Sequence, residues 1–352
     1  MKLGIIGLPQ SGKTTIFNAL TRGRAPTTAS AGRMDVHTAV VDVPDPRVDR
    51  LSEMFKPRKT VYAKVTYADI AGLEGGTARG GISGQLLNQL AQMEGFILVV
   101  RGFDEESVPH PAGSIDPARD AEMMLSELLL NDLIAVERKL ERLADERRKG
   151  GTDRTQNERQ TVLFQRVHDA LNAGTPLREM PLSPEDVKEL AAFALLTQKP
   201  VLIVFNTGEG AAPPPVASDI QSVAVQGKLE MEIAQLPPED AAAFMKEYAI
   251  EELSLNRMIR LSYVLLRLHS FFTVGEDEVR AWTLRRGATA LDAAGEVHTD
   301  LKRGFVRAEV VPYSDLVALG SMQEAKAKGK LRLEGKEYVV ADGDIVHIRF
   351  NV

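Results

Sequence analysis

The sequence predicts an α/β protein with a mainly parallel sheet, followed by a smaller domain built mostly of strands. Apolar, β-branched runs typical of buried strands recur between residues 2 and 225, and helical periods lie between several of them. Strands that alternate with helices form parallel sheets through right-handed crossovers. After Thr273 the pattern changes to short strands separated by glycine turns, which indicates a mixed-β domain from about residue 275 to the end.

Six strands are predicted for the parallel sheet, at residues 2–6, 38–43, 61–68, 96–101, 200–205 and 220–225. In sheets of this kind, ligands bind at the carboxyl ends of the strands. The residues that directly follow each strand are therefore the first candidates for a functional site.

A phosphate-binding loop follows the first strand. In "LGIIGLPQSGKTTIFNAL", residues 3–20, two glycines are followed by Lys and a hydroxyl residue at the spacing of that motif, with a strand before it and a helical period after it. Backbone N–H groups of such a loop bind phosphate oxygens at a helix N-terminus, Lys13 adds a mobile positive charge, and the Thr14 hydroxyl binds Mg²⁺. The residues expected to contact the nucleotide here are Gly7, Pro9, Gln10, Ser11, Gly12, Lys13, Thr14 and Thr15.

The end of the strand at 61–68 supplies a second predicted contact of a nucleotide switch. The strand runs into "DIAG", where Asp69 would hold Mg²⁺ through a water and the Gly72 N–H would contact a γ-phosphate. Glycines crowd the residues that follow, as a segment that moves on hydrolysis would need.

The end of the strand at 200–205 supplies the third contact. Asn206 and Glu209 stand where a guanine-binding protein would carry Asn, Lys, x, Asp. A base-contacting role is predicted for both. Since Glu is one methylene longer than Asp and the Lys is missing, guanine selectivity loses its bidentate support.

A helical insertion at about 116–198 separates the fourth and fifth strands. Asp116 followed by Pro117 predicts a helix start. An apolar seam then continues through Leu129, Leu133, Val136, Leu140 and Leu143. A second helix at about 156–172 is predicted to fold back through Val162, Leu163, Val167 and Leu171. Ser183, Pro184 and Asp186 predict the cap of a third helix, and two more helices are expected at 237–247 and 254–270.

Composition excludes several classes of function. The absence of cysteine removes disulfides, thiolate catalysis and cysteine metal sites, and the six histidines lack metal-ligand spacing. The net charge of −6 means that any nucleic-acid contact needs a local basic patch, and in the best candidate, residues 324–336, interleaved glutamates favour a solvated face. With no signal-peptide pattern and no apolar run long enough for a membrane span, we expect a cytoplasmic protein without a membrane partner.

Over nearly its whole length, about residues 3–352, the chain resembles the YchF/Obg-like ATPase family. The matching stretches are "GLPQSGKTTIFNALT", "VPDPRVDRL", "DIAGL", the helical insertion, Asn206 with Glu209, "LNRMIRLSY" and "EVRAWTLRRGATALDAAGEVHTDLKRGFVRAEVV". The resemblance implies a P-loop NTPase fold of Rossmann-like type. It assigns 1–115 plus 199–270 to a G domain, 116–198 to an inserted helical coiled-coil domain, and 275–352 to a TGS domain of β-grasp type.

The resemblance also implies ATP hydrolysis preferred over GTP hydrolysis and association with ribosomes or translation factors. We also expect the protein to be a monomer. Family members carry an apolar residue after the switch glycine in place of the usual glutamine, and here that residue is Leu73. Because no glutamine orients the attacking water, slow turnover is expected, with catalysis by Lys13, Mg²⁺ and backbone N–H groups. The family usually has Asn where this chain has Gln10, and a hydrophobic residue where it has Ser11. In related proteins that Asn is tied to a potassium ion, so potassium dependence stays open for this chain.

Two other functions stay open on the sequence. The first is a GTPase of the same build. The second is a nucleotide-binding protein that contacts RNA or the ribosome with negligible turnover, suggested by Leu73 and by a first switch, "TTASAGRMDVHTAVV", that matches the family poorly and shows no clear Mg²⁺-binding threonine. A phosphotransferase is the least supported function, because nothing indicates an acceptor site or an arginine-bearing lid.

Overall fold

The structure, a computed structural model, describes residues 1–23, 36–70, 82, 84–150, 153–208, 220–248 and 250–351. The chain forms two compact units, one of Met1–Ala39 with Thr66–Leu255 and the other of Val40–Val65 with Asn256–Val352. Segment 40–65 is thus grouped with the C-terminal residues, although the sequence analysis assigns it to the G domain. The three-domain division remains a prediction.

The strands of the described chain are β1 Lys2–Ile6, β2 His37–Asp42, β3 Lys59–Val61, β4 Lys64–Asp69, β5 Gly95–Gly102, β6 Val201–Thr207, β7 Ser222–Val225, β8 Leu268–Val274, β9 Glu278–Arg285, β10 Phe305–Pro312, β11 Arg332–Glu334 and β12 Asp344–Phe350. The helices are α1 Lys13–Thr21, α2 Pro46–Phe55, α3 Gly84–Ala91, α4 Pro117–Lys149, α5 Arg154–Asn172, α6 Pro184–Leu190, α7 Gly227–Gln235, α8 Pro238–Glu247, α9 Ser254–Leu265, α10 Ala290–Val297, α11 Thr299–Arg303, α12 Tyr313–Leu319 and α13 Met322–Ala327.

The sheet of the first unit confirms the predicted α/β fold. Its strand order is β2-β4-β1-β5-β6-β7, and the pairings from β4 through β7 are parallel. β6 is buried along its whole length, as expected for a central parallel strand with helices on both faces. This register brings the carboxyl ends of β1, β4, β5 and β6 to one edge, where the functional site is expected.

The helical insertion forms the predicted antiparallel hairpin. Asp116 caps α4 by accepting from the Arg119 N–H at 3.0 Å, and Ser183 with Asp186 forms a capping box before α6. The seam of α4 packs against α5 in one apolar cluster. One member of the predicted seam of α5 is wrong: Val162 is 63% exposed, and the fully buried Phe164 packs there instead. Val162 and Phe164 flank Leu163 in the sequence, about 100° to either side of it around the helix, so the apolar pattern did not show which of the two faces the core.

The second unit contains a sheet with the order β11-β10-β12-β8-β9-β3. In it β8 runs parallel to β12 and antiparallel to β9, and β3 runs parallel to β9. The sequence predicts one strand at 61–68, and this is wrong because the run is divided between β3 and β4, which belong to different sheets. Between them the Ala63 carbonyl accepts from the Val43 N–H at 2.8 Å, a contact that no local pattern indicates.

The helix predicted at 254–270 is shorter in the structure. α9 ends at Leu265, Arg267 adopts a left-handed φ of 54°, and β8 begins at Leu268. The aromatic and β-branched residues of β8 continue the apolar pattern of α9, which explains why the helix appears too long in the sequence.

Candidate functional site

The loop between β1 and α1 has the geometry of a phosphate-binding loop. Gly12 directly precedes α1 with a φ of 90°, and a Cβ at this position would lie 2.1 Å from the Asn206 side-chain nitrogen. Only glycine fits, both for its backbone and for its space. The loop therefore ends at a helix N-terminus that has no side-chain cap at Gly12, which suits an anionic ligand.

Lys13 places its positive charge over this loop. Its ammonium donates to the Gly7 carbonyl at 3.0 Å and to the Leu8 carbonyl at 2.8 Å, and the residue is 8% exposed. The charge thus lies among the backbone groups that the motif assigns to phosphate oxygens.

Thr14 and Asp69 lie together, as the predicted Mg²⁺ site requires. The Thr14 hydroxyl donates to Asp69 Oδ2 at 2.8 Å, and the parallel register of β1 with β4 pairs Asp69 with Ile5, one residue from the end of β1. Burial raises the pKa of Asp69, while the hydrogen bond from Thr14 and the charge of Lys13 act in the opposite direction. Two hard oxygen atoms fit Mg²⁺, which usually takes one or two protein ligands and fills its other positions with water and phosphate.

Asn206 joins the loop to the segment after β7. Its amide nitrogen donates to the Ser11 carbonyl at 3.1 Å, and its amide oxygen accepts from the Gly227 N–H at 3.1 Å. The side chain is 4% exposed, so Asn206 holds two walls of the site in register. The predicted contact of Asn206 with a base remains a prediction.

A cavity of about 720 Å³ opens beside the loop. Gln10, Gly12 and Thr15 line one side of it, and residues from the segments 103–108, 206–208 and 226–232 line the rest together with Phe244 of α8 and Tyr248 just after it. The volume is in the range of small-molecule sites, and the wall combines aromatic and aliphatic side chains with many polar and charged ones. A base and ribose could lie here while a phosphate chain extends to Lys13.

Several lining residues are absent from the sequence prediction. Phe103 follows β5 and Lys228 follows β7, so the carboxyl-end rule applied to every strand would have found them. Phe244 of α8 and Tyr248 just after it have ring centroids 4.3 Å apart, and they carry no such signal because tertiary packing alone brings them to the cavity.

Comparison with known proteins decides the family. A model described as "50S ribosome-binding GTPase" matches residues 2–139, and a model of the YchF GTPase C-terminal domain, described as a protein of unknown function, matches residues 268–351. The "Ribosome-binding ATPase YchF" of Bacillus subtilis (strain 168) is 38% identical over 99% of both chains, and that of Escherichia coli O157:H7 is 39% identical over 100% of this chain and 99% of its own. The chain belongs to the YchF family.

A solved structure supports the same conclusion at the level of fold. The Schizosaccharomyces pombe YchF GTPase superposes with a TM-score of 0.85 at 32% identity, covering 99% of this chain and 97% of that one. The resemblance read from the sequence is confirmed, and this YchF-family chain has the P-loop NTPase fold. Within the described ranges no helix combines the length and apolar character that crossing a membrane requires.

The remaining site residues of this YchF-family chain divide into two groups. Gly72, Leu73 and Glu209 lie outside the described residues, and their predicted roles stay predictions. Pro9 and Ser11 line a small cleft under the loop, where the buried Ser11 hydroxyl finds no hydrogen-bond partner among the described residues. Gln10 has a left-handed φ of 63°, a conformation that Asn adopts more readily than Gln, so the loop holds this residue in a strained backbone conformation.

Proposed function

We propose that this chain is a Mg²⁺-dependent nucleoside triphosphatase that prefers ATP to GTP and associates with ribosomes in the cytoplasm. The observation that carries the proposal is the placement of Lys13 and the Thr14–Asp69 pair at the start of one helix, beside a cavity of nucleoside size. Phosphate-binding loops combine these groups to neutralise a triphosphate and to hold its metal ion.

The phosphate chain would be held by the N–H groups of residues 7–15 and by Lys13. Thr14 would bind Mg²⁺ directly and Asp69 through a water, and the ion would neutralise charge that develops on the transferred phosphoryl group. The Gly72 N–H would contact the γ-phosphate. Since Leu73 stands where a water-orienting glutamine is usual, turnover without a partner would be slow.

Adenine preference is supported by the residues after β6. A guanine site uses an Asp that accepts from two N–H groups of the base, and this chain has Glu209 there without the accompanying Lys. The cavity wall also carries the rings of Phe103, Phe244 and Tyr248, on which a base can stack without being read by its edge.

The proposed association with ribosomes rests on the relatives, which are named ribosome-binding ATPases. We assign residues 1–115 with 199–270 to the G domain, 116–198 to the helical domain and 275–352 to the TGS domain. Nucleotide state would change the contacts that the latter two make with the ribosome, and the protein would act as a monomer.

Calorimetric titration with ATP and with GTP in Mg²⁺ buffer tests the base preference, with sodium exchanged for potassium in a second series. ATP should bind at least tenfold more tightly than GTP, and equal affinities would overturn the adenine assignment. Comparison of the sodium and potassium series shows whether nucleotide binding depends on potassium, which Gln10 leaves open.

Release of inorganic phosphate from ATP tests the hydrolase assignment against the alternative of a binding protein without turnover. Wild-type protein should release phosphate faster than a Lys13→Ala variant, with or without added ribosomes. Equal rates in both conditions would leave a nucleotide-dependent ribosome-binding protein as the better description.

A further inference from the structure

Arg101 is a buried charge that the proposed chemistry does not use. It lies at the carboxyl end of β5, is 3% exposed, and is paired in register with Asn206 of β6. In the described part of the chain it forms no ion pair with a carboxylate, and one of its terminal nitrogens, Nη1, is buried without a hydrogen-bond partner. A buried guanidinium in this state costs free energy, and an apolar side chain of similar size would fill the space at lower cost.

What Arg101 does bind is the loop that follows it. Its Nε donates to the Phe103 carbonyl at 3.2 Å, and its Nη2 donates to the Val108 carbonyl at 2.8 Å and, more weakly, to the Glu105 carbonyl at 3.5 Å. Its guanidinium also lies over the Phe103 ring, 4.7 Å from the ring centroid. One side chain thus fixes the backbone of residues 103–108 at three points and one aromatic ring.

The same loop is one wall of the 720 Å³ cavity. Phe103 is also the neighbour of two glycines of the site, since a Cβ on Gly12 would lie 3.8 Å from its ring and a Cβ on Gly208 would lie 4.0 Å from its Cβ. Among the described residues, no side chain other than Arg101 donates to the carbonyls of Phe103, Glu105 and Val108. Without Arg101 the wall would have to be ordered by the ligand, at a cost in binding free energy.

We infer that Arg101 is a positioning residue for nucleotide binding, which holds residues 103–108 as a preformed wall for the base and ribose. The inference rests on the proposed function, because it concerns the same site. It separates the site into two parts: the loop at 7–15 binds phosphates independently of Arg101, and the wall at 103–108 binds the nucleoside through it.

Comparing two ligands that share only the phosphate chain tests this separation. Calorimetry is performed with Mg²⁺–ATP and with Mg²⁺–tripolyphosphate on wild-type protein and on Arg101→Met and Arg101→Lys variants. ATP affinity should fall roughly tenfold in Arg101→Met, with tripolyphosphate affinity unchanged. Arg101→Lys should recover part of the loss, since lysine keeps the charge but lacks the fork that reaches separate carbonyls. In turnover assays KM for ATP should rise while kcat stays within about twofold.

A control is Arg154→Gln. Arg154 is an exposed arginine at the start of α5 that pairs with Glu158, outside the cavity lining, so its loss should leave ATP affinity unchanged. If Arg101→Met does not fold, Arg101→Lys carries the same two-ligand comparison.

Each other outcome has a definite meaning. An equal loss for ATP and tripolyphosphate would overturn the inference, because Arg101 would then support the phosphate loop. Unchanged affinity for ATP in both variants would overturn it as well, and so would wild-type protein that binds tripolyphosphate as tightly as ATP. Wild-type protein that binds neither ligand would instead overturn the proposed function.

Discussion

Asp69 shows at the scale of one residue how a functional group reduces stability. The side chain is 6% exposed, and burial raises its pKa against the opposing effects of Thr14 and Lys13. A carboxyl group whose pKa is higher in the folded than in the unfolded state binds more protons when folded. The protonated carboxyl group therefore contributes fully to stability below the unfolded pKa of about 4. This contribution is lost as the pH rises through the pKa of the folded state, because the buried group then becomes charged.

Asp69→Asn should therefore stabilise the nucleotide-free protein at pH 7. The amide oxygen can still accept from Thr14, and the buried negative charge is gone. Thermal unfolding between pH 3 and 8 should show a melting temperature advantage for the variant that is smallest at the lowest pH and grows as the pH rises above the unfolded pKa of about 4. An advantage of the same size across this range would mean that ionisation of Asp69 is not the cause.

The same variant should lose most of the stabilisation that Mg²⁺–ATP gives to wild-type protein, because the water-mediated charge contact with the ion is removed. Asp42→Asn is the matched control. Asp42 is an exposed carboxylate paired with Lys64, so its loss should change neither the pH trend nor the response to ligand.

At the scale of elements, Lys199 holds the end of α3. Its ammonium donates to the carbonyls of Leu90, Ala91 and Met93, at 2.8, 2.6 and 2.5 Å. The last carbonyls of a helix have no partner within it, and a cation there also interacts favourably with the helix dipole. Burial lowers the pKa of Lys199 to about 8, with Asp132 and Glu94 acting in the opposite direction, so the amine is still largely charged at pH 7.

Lys199→Met should lower the free energy of unfolding by about 1.5–3 kcal/mol, the usual size for hydrogen bonds that involve a charged group. Amide hydrogen exchange should become faster in α3 and remain unchanged in α1, since α1 has no contact with this lysine. Lys188→Met, on the exposed face of α6, should change neither quantity. Exchange that becomes faster throughout both helices would contradict a local cap.

Local chemistry explains which elements the sequence predicted well. The cap at Asp116 and the capping box at Ser183 use side chains that bind N–H groups two or three residues away, so their signals are contained in short stretches. The cap by Lys199 joins residues more than one hundred positions apart, and the carboxylate of Glu230, which accepts from the N–H groups of Ser254 and Leu255, is another distant cap. No local pattern predicts either contact.

The candidate site divides in the same way. The loop at 7–15 and Asp69 were predictable because phosphate and Mg²⁺ binding fix both residue type and spacing. Arg101 was not, because its role depends on where residues 103–108 lie in three dimensions, and an isolated arginine at a strand end has no motif. Positioning residues of this kind require coordinates.

At the scale of the whole molecule, the second unit draws on two distant parts of the chain. β3 pairs with β9, and α2 buries Val48 and Leu51 completely. Arg47 donates to Asp342 at 3.0 Å and lies over the Phe272 ring, 5.0 Å from its centroid. The C-terminal family model begins at residue 268, and the compact unit therefore includes a segment that this model does not cover.

A fragment of residues 256–352 should consequently be less stable than one in which 40–65 is joined to it by a flexible linker. Burial of Val48 and Leu51 stabilises the unit by roughly 3–6 kcal/mol at about 1.5–3 kcal/mol for each side chain. For a domain of this size, such a loss lowers the melting temperature by more than about 10 °C. Circular dichroism melts of both fragments measure the difference directly. The linked fragment with Val48→Asp and Leu51→Asp should melt like the short one, which would show that the packing of α2, and not the added length, provides the stability. Equal melting temperatures for the two unmodified fragments would mean that 256–352 folds independently of residues 40–65.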